Sequence, residues 1–370
     1  MEYINVIKYA VLFFPILCLI LSLPFLLHHY RKYGSITFFR FLLVFSFFFY
    51  LLCTYFLVIL PLPSKADVMN YSGAYYNLKP FFVVPEVFMS GEFNIVKPDT
   101  YMFLYNQRFL EPLFNILMTI PFGIYLRYYF KCGFFKTLFL SFLLSLFFEL
   151  TQLSGLYFYY PRPYRLCDVN DLINNTSGGV IGYLFAPLFS FILPSRESID
   201  DKSYEKGRVV SVLREGVALV IDYFFVFLLY LGINFLFHNL LNICVYVFIV
   251  FLVFCFLPWC SRGYTFGKWL LGFRNIGIDI DGCISFFKYF IKFLVLHLVI
   301  INGWVISMLL CNIFRVDIVF GLIVSFVVLF LFILYCLFCL ILNRNIFINR
   351  LLGITNDSVI DVVDGNDDEI

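Results

Sequence analysis

Charged residues are scarce in this chain. Asp, Glu, Lys and Arg make up 14% of its 370 residues, whereas soluble domains ordinarily carry about 25%. Hydrophobic residues account for 62% of the chain, and Phe alone occurs 52 times. This composition excludes an ordinary soluble domain and predicts a polytopic integral membrane protein. The net charge of +2 gives no electrostatic reason to expect a nucleic acid partner.

Metal ligands and catalytic nucleophiles are also few. The four His residues are dispersed, at positions 28, 29, 238 and 297, and the 11 Cys lie mostly inside apolar runs. Cys336 and Cys339 have C-x-x-C spacing but no His nearby, so we interpret the Cys as small hydrophobic residues and predict no metal and no cofactor. The predicted outer segments lack a Ser–His or Cys–His pair, which leaves hydrolase-type catalysis poorly supported. The absence of an internal repeat disfavours an inverted-repeat transporter.

The hydrophobic residues form runs long enough to cross a bilayer, which takes about 20 residues. We predict nine transmembrane helices, at residues 6–27, 38–60, 109–129, 134–156, 171–193, 217–237, 239–258, 285–311 and 318–342. The loops on one side of these helices hold most of the 26 Lys and Arg. By the positive-inside rule that side is cytoplasmic, so the N-terminus is predicted outside and the C-terminus inside.

A polar segment at residues 195–207 divides the chain. We predict a membrane domain at 1–195, a cytoplasmic linker at 196–207, a second membrane domain at 208–356 and an acidic, disordered tail at 357–370. The aromatic loop at 61–108 is expected to lie at the membrane surface or to fold over the helix ends.

Six polar residues cluster at the junction of two hydrophobic runs in the first domain. They are Glu149, Gln152, Arg165, Asp168, Asp171 and Asn175. Polar groups are costly at such a position and are functional candidates for that reason. Steps of three or four residues from Arg165 to Gly182 predict one helical stripe, if a helix begins near Arg165. Gly178 and Gly182 would let a neighbouring helix approach closely, and we expect the helix that carries Glu149 to be that neighbour.

Two interpretations of this cluster stay open. In the functional one, the carboxylates act as acid and base or bind a cation or a cationic head group, and Arg165 binds a phosphate or carboxylate. In the structural one, the groups satisfy one another: Arg165 bridges Asp168, Asp171 caps the next helix, and Glu149 bonds to Asn175.

The same residues resemble the VanZ-like family. Its pattern is a Glu and a Gln that close one helix, then R-x-x-D-x-x-D, then N-x-x-G-x-x-x-G, and positions 149 to 182 match it. The segments Asn77–Phe81 and Asn115–Gly123 resemble two further parts of the family, so the resemblance covers about residues 36–195. The stretch from Gln152 to Arg165 is longer than in the family and contains an aromatic insert at 157–164. The resemblance implies a cell-envelope role associated with resistance to glycopeptides such as teicoplanin.

The second domain carries four candidate residues, Arg214, Asp222, Lys268 and Arg274. A carboxylate at the depth of Asp222 needs a partner, for which we expect Arg214, Lys292 or His297. The Gly-spaced basic segment at 263–274 lacks P-loop spacing.

This second domain resembles the RDD family over about residues 207–356, through an early Arg, a membrane Asp and a G-x-T-x-G-K-x-x-x-G loop. That resemblance implies ion transport through Asp222. Alternatively, Lys268 and Arg274 meet anionic lipid head groups.

These features predict an all-α protein of the bacterial plasma membrane, with five helices in a VanZ-like bundle and four in an RDD-like bundle. The first hypothesis is an envelope protein whose outer pocket engages a membrane lipid or a lipid-linked cell-wall precursor and whose expression reduces glycopeptide susceptibility. The alternatives are an enzyme that modifies an envelope lipid or glycan, and a cation transporter that uses the second half.

Overall fold

The computed structural model describes residues 2–70, 72–80, 107–237, 243–277, 284–307, 318–342 and 346–360. The first half contains helices α1 (Glu2–Tyr33), α2 (Phe38–Ile59), α3 (Lys65–Asn70), α4 (Gln107–Tyr128), α5 (Phe134–Leu153), α6 (Gly155–Phe158), α7 (Val169–Ser190) and α8 (Arg196–Gly207), with strands β1 (Tyr76–Asn77) and β2 (Cys167–Asp168). The second half contains α9 (Val212–Phe237), α10 (Ile243–Phe251), a π-helical turn (Leu252–Phe256), α11 (Leu257–Cys260), α12 (Phe266–Leu271), β3 (Phe273–Gly277), α13 (Phe286–Lys292), a π-helix (Phe293–Ile301), α14 (Ile318–Ile341), α15 (Phe347–Leu351) and β4 (Ile354–Ser358). The predicted all-α fold is confirmed.

Seven helical stretches among the described residues are long and apolar enough to cross a membrane. They are Ile7–Tyr33, Phe38–Ile59, Phe109–Tyr128, Phe134–Leu153, Val212–Leu236, Ile243–Cys260 and Val319–Cys339, and each coincides with a predicted span. The chain is a polytopic membrane protein. Many of its large apolar side chains lie on the outside of the helices. In the most apolar part of Val319–Cys339, only 6% of the residues are buried. Apolar surface of that extent is stable against lipid, not against water.

The other two predicted spans have different structures. The predicted span at 171–193 is α7, which is 22 residues long but polar in its first turns. The predicted span at 285–311 begins as α13 and continues as the π-helix to Ile301, and its last residues, from 308, lie outside the described part of the chain.

The chain divides into two compact units, which differ in part from the predicted domains. The first unit contains Met1–Leu21 and Phe38–Ile199, and the second contains Ser22–Thr37 and Asp200–Ile370. The end of α1 belongs to the second unit because Tyr30 packs with Val210, Leu271 and Phe273. The segment predicted as a linker is helix α8. The hydroxyl of Ser195, just before this helix, accepts a hydrogen bond from the backbone N–H of Ser198 in the first turn.

Strand β4 changes the prediction for the C-terminal tail. Asp357 and Ser358 were expected to begin a disordered segment, but they pair with Arg274 and Phe273 of β3 in an antiparallel ladder. The ladder satisfies their backbone groups, so an acidic composition does not prevent order here. Residues 361–370, for which we predict disorder, lie outside the described part of the chain. So do residues 81–106 of the loop that we expect at the membrane surface or over the helix ends.

Glycines set the core geometry of the first unit. A Cβ atom added to Gly178 of α7 would collide with the carbonyl oxygen of Ile116 in α4, and one added to Gly182 would collide with the carbonyl oxygen of Ile120. Gly123 of α4 faces the α7 backbone in the same way. The two backbones are therefore in direct contact, as small residues permit in membrane helices.

The neighbour of the G-x-x-x-G face is thus α4, not the expected α5. Helix α5 contacts the adjacent face of α7, where Gly179 lies against the Ser141 side chain. Sequence spacing identifies the face of a helix but does not say which of two neighbours covers it.

We predict that Gly178→Ala lowers the apparent unfolding temperature of the purified protein in detergent. The added methyl has no space against Ile116 and Thr119, and overpacking typically costs about 1–3 kcal/mol. Gly232→Ala in α9 is the matched control, because a Cβ there meets nothing within 4 Å. A Gly178 variant that is as stable as the Gly232 variant would contradict the close α4–α7 packing.

Candidate functional site

The N-terminus of α7 carries the acidic residues of the first unit. Asp168 has an extended backbone (φ −116°, ψ 125°), and its carboxylate accepts a hydrogen bond from the backbone N–H of Asn170 at 2.8 Å. It is the N-cap of the helix, because it satisfies an N–H group that the first turn leaves without a partner. Cys167 and Asp168 also pair with Tyr76 and Asn77 in a short parallel ladder.

This start of the helix corrects the predicted stripe. Because α7 begins at Val169, the helical stripe runs from Asp171 to Gly182, and Arg165 and Asp168 lie before it. Residues spaced by three are compatible with a helix but do not require one. The preference of Asp for capping, together with the strand pairing, decides the local structure.

Glu149, near the end of α5, packs against this N-terminus. Its carboxylate accepts the backbone N–H of Asp168 at 2.9 Å and is 4% exposed. The thiol of Cys167 is a further hydrogen-bond partner of this carboxylate. Burial and the Glu149 charge raise the pKa of Cys167 to about 11. The thiol is therefore neutral under ordinary conditions and is not an activated nucleophile.

Asp171 and Asn175 connect α7 to both of its neighbours. Asp171 Oδ1 accepts a hydrogen bond from Asn115 Nδ2 of α4 at 2.7 Å. Asn175, which is 3% exposed, donates to Ser145 Oγ of α5 at 3.1 Å. The Asn175 Oδ1 atom receives no hydrogen bond from the described part of the chain. Asp171 and Asn175 therefore hold α7 against α4 and α5 respectively.

Arg165 and Gln152 contact the same backbone atom. Arg165 donates to the carbonyl oxygen of Val58 at 2.6 Å, and Gln152 donates to that oxygen at 3.0 Å. Both therefore hold the end of α2. Arg165 is exposed and forms no ion pair with Asp168 or Asp171, which are all described residues.

The structural interpretation of the cluster is therefore wrong in its details. Asp168, and not Asp171, caps α7. Glu149 bonds to the Asp168 backbone and not to Asn175. The expected bridge from Arg165 to Asp168 does not form, because the guanidinium is engaged by the α2 carbonyl.

The aromatic insert at 157–164 contacts the end of α2 and the segment that follows it. Its start turns sharply, with Leu156, Tyr157 and Phe158 in the left-handed region (φ 56°, 56° and 68°). The hydroxyls of Tyr160 and Tyr164 then donate to the carbonyl oxygens of Pro63 and Ile59, at 2.7 and 3.4 Å. The insert thus anchors to the segment that follows α2.

We use the term acidic cluster for Glu149, Asp168 and Asp171. Each Asp binds its partners through Oδ1, while Oδ2 receives no hydrogen bond from the described residues. Both Asp residues are partly accessible, whereas Glu149 is buried. The cluster can therefore accept hydrogen bonds from hydroxyl or ammonium groups, next to the exposed Arg165 guanidinium. Within the described residues, no three His, Cys, Asp or Glu lie close enough together to hold a metal ion.

Sequence reasoning missed several partners of the cluster. Asn77 and Asn115 bind Asp168 and Asp171 but lie about 56 to 91 residues away in the chain. Ser145 belongs to a buried stripe on α5 at spacing four, Thr137, Ser141, Ser145 and Glu149. Polar residues at every fourth position of an otherwise apolar helix lie on one face, and this pattern could have identified Ser145 as a partner of the cluster.

In the second unit, Asp222 holds the start of the short helix α12. Its two carboxylate oxygens accept hydrogen bonds from the Thr265 hydroxyl at 2.5 Å and from the Gly267 backbone N–H at 2.6 Å. Thr265 is in turn the N-cap of α12. The expected partners of Asp222, Arg214, Lys292 and His297, are not hydrogen-bonded to it.

Arg214 holds the other end of α12. It is fully buried and donates to the carbonyl oxygens of Leu271, at 2.7 and 3.2 Å, and Gly272, at 2.9 Å. A carboxylate at the N-terminus and a guanidinium at the C-terminal carbonyls both complement the helix dipole. The Arg and Asp of this unit therefore position the Gly-rich segment.

Lys268 and Arg274 face protein carboxylates. Lys268 lies within electrostatic reach of Asp222 and Glu215, and burial together with the Lys292 cation lowers its pKa. Arg274 forms an ion pair with Asp357 at 3.4 Å. Glu215, which sequence reasoning overlooked, accepts hydrogen bonds from Asn349 and Asn356.

Comparison with known families matches both halves of the chain. Residues 47–190 match the VanZ/LLP1 family model, and residues 210–350 match the RDD family model. The acidic cluster lies in the first match. Asp222 and Arg214, which hold the two ends of α12, lie in the second. No curated protein and no solved structure matches the chain. The predicted combination of a VanZ-like and an RDD domain is confirmed.

We predict that Asp222→Asn and Arg214→Gln each destabilise the protein in thermal unfolding experiments. Asp222→Asn keeps one acceptor oxygen but places an NH₂ group against either the Thr265 hydroxyl or the Gly267 N–H. Arg214→Gln leaves carbonyl oxygens of Leu271 or Gly272 without a donor, and each lost hydrogen bond to a buried group costs roughly 1–3 kcal/mol. Arg274→Gln is the control, because its partly exposed ion pair is worth at most about 1 kcal/mol. An Asp222→Asn protein of unchanged stability that has lost cation flux in proteoliposomes would instead support ion transport.

Proposed function

We propose that this chain, in which a VanZ-like domain precedes an RDD domain, resides in a bacterial plasma membrane and binds the head group of an envelope lipid or lipid-linked cell-wall precursor at its acidic cluster. The observation that supports this most directly is the pair of Asp carboxylates at the start of α7. Each has one oxygen fixed by an amide of the protein and a second that is uncommitted among the described residues.

The chemistry of the cluster fits a head group rich in donors. Carboxylate oxygens accept hydrogen bonds from sugar hydroxyls and peptide ammonium groups, and charge-assisted bonds of this type are the stronger ones. The exposed Arg165 adds a donor for a phosphate or carboxylate on the same ligand. Fixed partners such as Asn115 and Asn77 hold the carboxylates in place before a ligand arrives, which reduces the entropic cost of binding.

Glycopeptide resistance follows as the cellular consequence of this proposal. Glycopeptides act on the outer face of the cell, where the acidic cluster is predicted to lie by the positive-inside rule. A protein that binds precursor or lipid head groups on that face changes which of these groups are accessible to the drug. The VanZ-like resemblance implies resistance to drugs of the teicoplanin type.

An enzyme acting on an envelope lipid or glycan is the second candidate. Its support is the unequal environment of two neighbouring carboxylates, since Glu149 is buried and Asp171 is partly accessible. Such pairs can divide the roles of acid and base. Lipid and glycan analysis of expressing and non-expressing cells separates the candidates, because only an enzyme leaves an altered product.

We predict that Asp168→Asn and Asp171→Asn, expressed at equal membrane levels, return the teicoplanin susceptibility of the host to that of cells with an empty vector. An amide cannot replace the charge that the ligand's donors require. Loss of one charge-assisted hydrogen bond of about 1.5–3 kcal/mol weakens binding roughly tenfold or more. The measurement is the minimal inhibitory concentration, with protein abundance determined in the same membranes.

Asp201→Asn is the matched control for these variants, because it removes an exposed carboxylate of α8 outside the cluster. Its cells should keep the susceptibility of the parent. If the cluster variants also keep it, the proposed role of the cluster is wrong. Binding of a polyprenyl diphosphate-linked disaccharide peptide, measured by native mass spectrometry, tests the ligand class separately from the drug phenotype.

A further inference from the structure

The first unit has a basic pocket at the end opposite the acidic cluster. The pocket has a volume of about 330 Å³ and lies where α4 and α7 end and α8 begins. Its polar lining includes Arg127, Lys131, Tyr183, Ser190, Ser195 and Arg196. Tyr183, the first residue of α7 in the lining, follows Asp171 by 12 residues, a rise of about 18 Å at 1.5 Å per residue.

Protein contacts hold the two guanidinium groups of this pocket in place. Arg127 donates to the carbonyl oxygen of Tyr183 at 2.9 Å, and its guanidinium lies 4.3 Å from the centre of the Tyr183 ring. Arg196 donates to the carbonyl oxygen of Tyr129 at 3.1 Å. A guanidinium has five N–H donors, and a planar group that is already oriented loses little entropy when it binds an anion.

The pocket carries net positive charge. Its lining contains three cationic side chains and no carboxylate. Glu197, which is not part of the lining, contacts Lys131 at 2.9 Å. The hydrogen bond from Lys131 lowers the pKa of Glu197 to about 2, so Glu197 is ionised and competes for this ammonium group. Both side chains are largely exposed, at 48% and 66%, so the pair can exchange partners when an anion arrives.

We propose that this pocket binds a phosphate group. Two guanidinium groups held by protein contacts, an ammonium group and the hydroxyls of Ser190 and Ser195 supply the N–H and O–H donors that phosphate oxygens accept. The pocket lies at the C-terminal end of Phe109–Tyr128, one of the helical stretches long enough to cross a membrane. Basic pockets between the ends of such helices are places where lipid head groups bind. The phosphate can belong to an anionic phospholipid or to a soluble phosphorylated compound. This site is independent of the one proposed above.

The test compares phosphate binding by variants of the full-length protein in a neutral detergent at fixed salt. The probes are a short-chain phosphatidylglycerol and inorganic pyrophosphate, and binding is read by native mass spectrometry and by the shift in unfolding temperature. Lys131→Gln and Arg196→Gln should weaken binding about tenfold, the usual effect of losing a charge-assisted hydrogen bond. Lys131 is exposed, so its replacement leaves the fold intact even where the Arg196 variant fails to fold.

Two further variants make the test specific. Lys136→Gln removes an exposed cation at the start of α5, at the same end of the unit but outside the pocket, and should change binding little. Glu197→Gln removes the competitor of the ligand and should tighten binding. If the pocket variants lose binding of phosphatidylglycerol but not of pyrophosphate, the ligand is a lipid phosphate. If they lose binding of pyrophosphate, the pocket accepts a soluble phosphate. Equal losses in the Lys131 and Lys136 variants, or binding that no variant alters, would overturn the proposal.

Discussion

The first turn of a helix leaves backbone N–H groups without partners in the helix, and carboxylates satisfy such groups in both units of this protein. Asp168 caps α7, and Glu149 accepts the N–H of Asp168 itself. Asp222 accepts the N–H of Gly267 at the start of α12. A buried N–H without a partner costs about 1–3 kcal/mol, so these acceptors stabilise the starts of both helices. The residues that stand out in the sequence as costly charges are thus first of all the partners of the backbone.

A structural role of this kind does not exclude a functional one. A cap uses one or two lone pairs of a carboxylate, which can accept about four hydrogen bonds. Asp168 and Asp171 each bind protein groups through one oxygen, and the other oxygen receives no hydrogen bond from the described residues, whereas Asp222 uses both oxygens on α12. The number of uncommitted acceptor atoms therefore distinguishes a candidate binding site in the first unit from a structural clamp in the second.

The sequence was sufficient for the all-α membrane fold, for seven of the nine predicted spans and for the two family resemblances. It was not sufficient for the geometry. The start of α7 depends on a ladder with Asn77, and the partners of Asp171 and Asn175 come from α4 and α5. Periodicity places Gly178 on a face of α7, but the rotation of the packed helix decides that α4 covers it. Arg214 could not be assigned to α12 from spacing, because its acceptors lie 57 and 58 residues later in the chain.

The parallel arrangement of α4 and α7 explains why opposite charges collect at the two ends of the first unit. Asn115 and Asp171 meet near the starts of these helices, and Arg127 meets the Tyr183 carbonyl near their ends. Antiparallel neighbours would cancel their dipoles, but parallel ones add, which leaves one end positive and the other negative. Asp168 and Asp171 at the start of α7 and Arg127 at the end of α4 each gain about 0.3–1 kcal/mol from this field. The fold thus offsets part of the cost of keeping an acidic cluster and a basic pocket at opposite ends of one bundle.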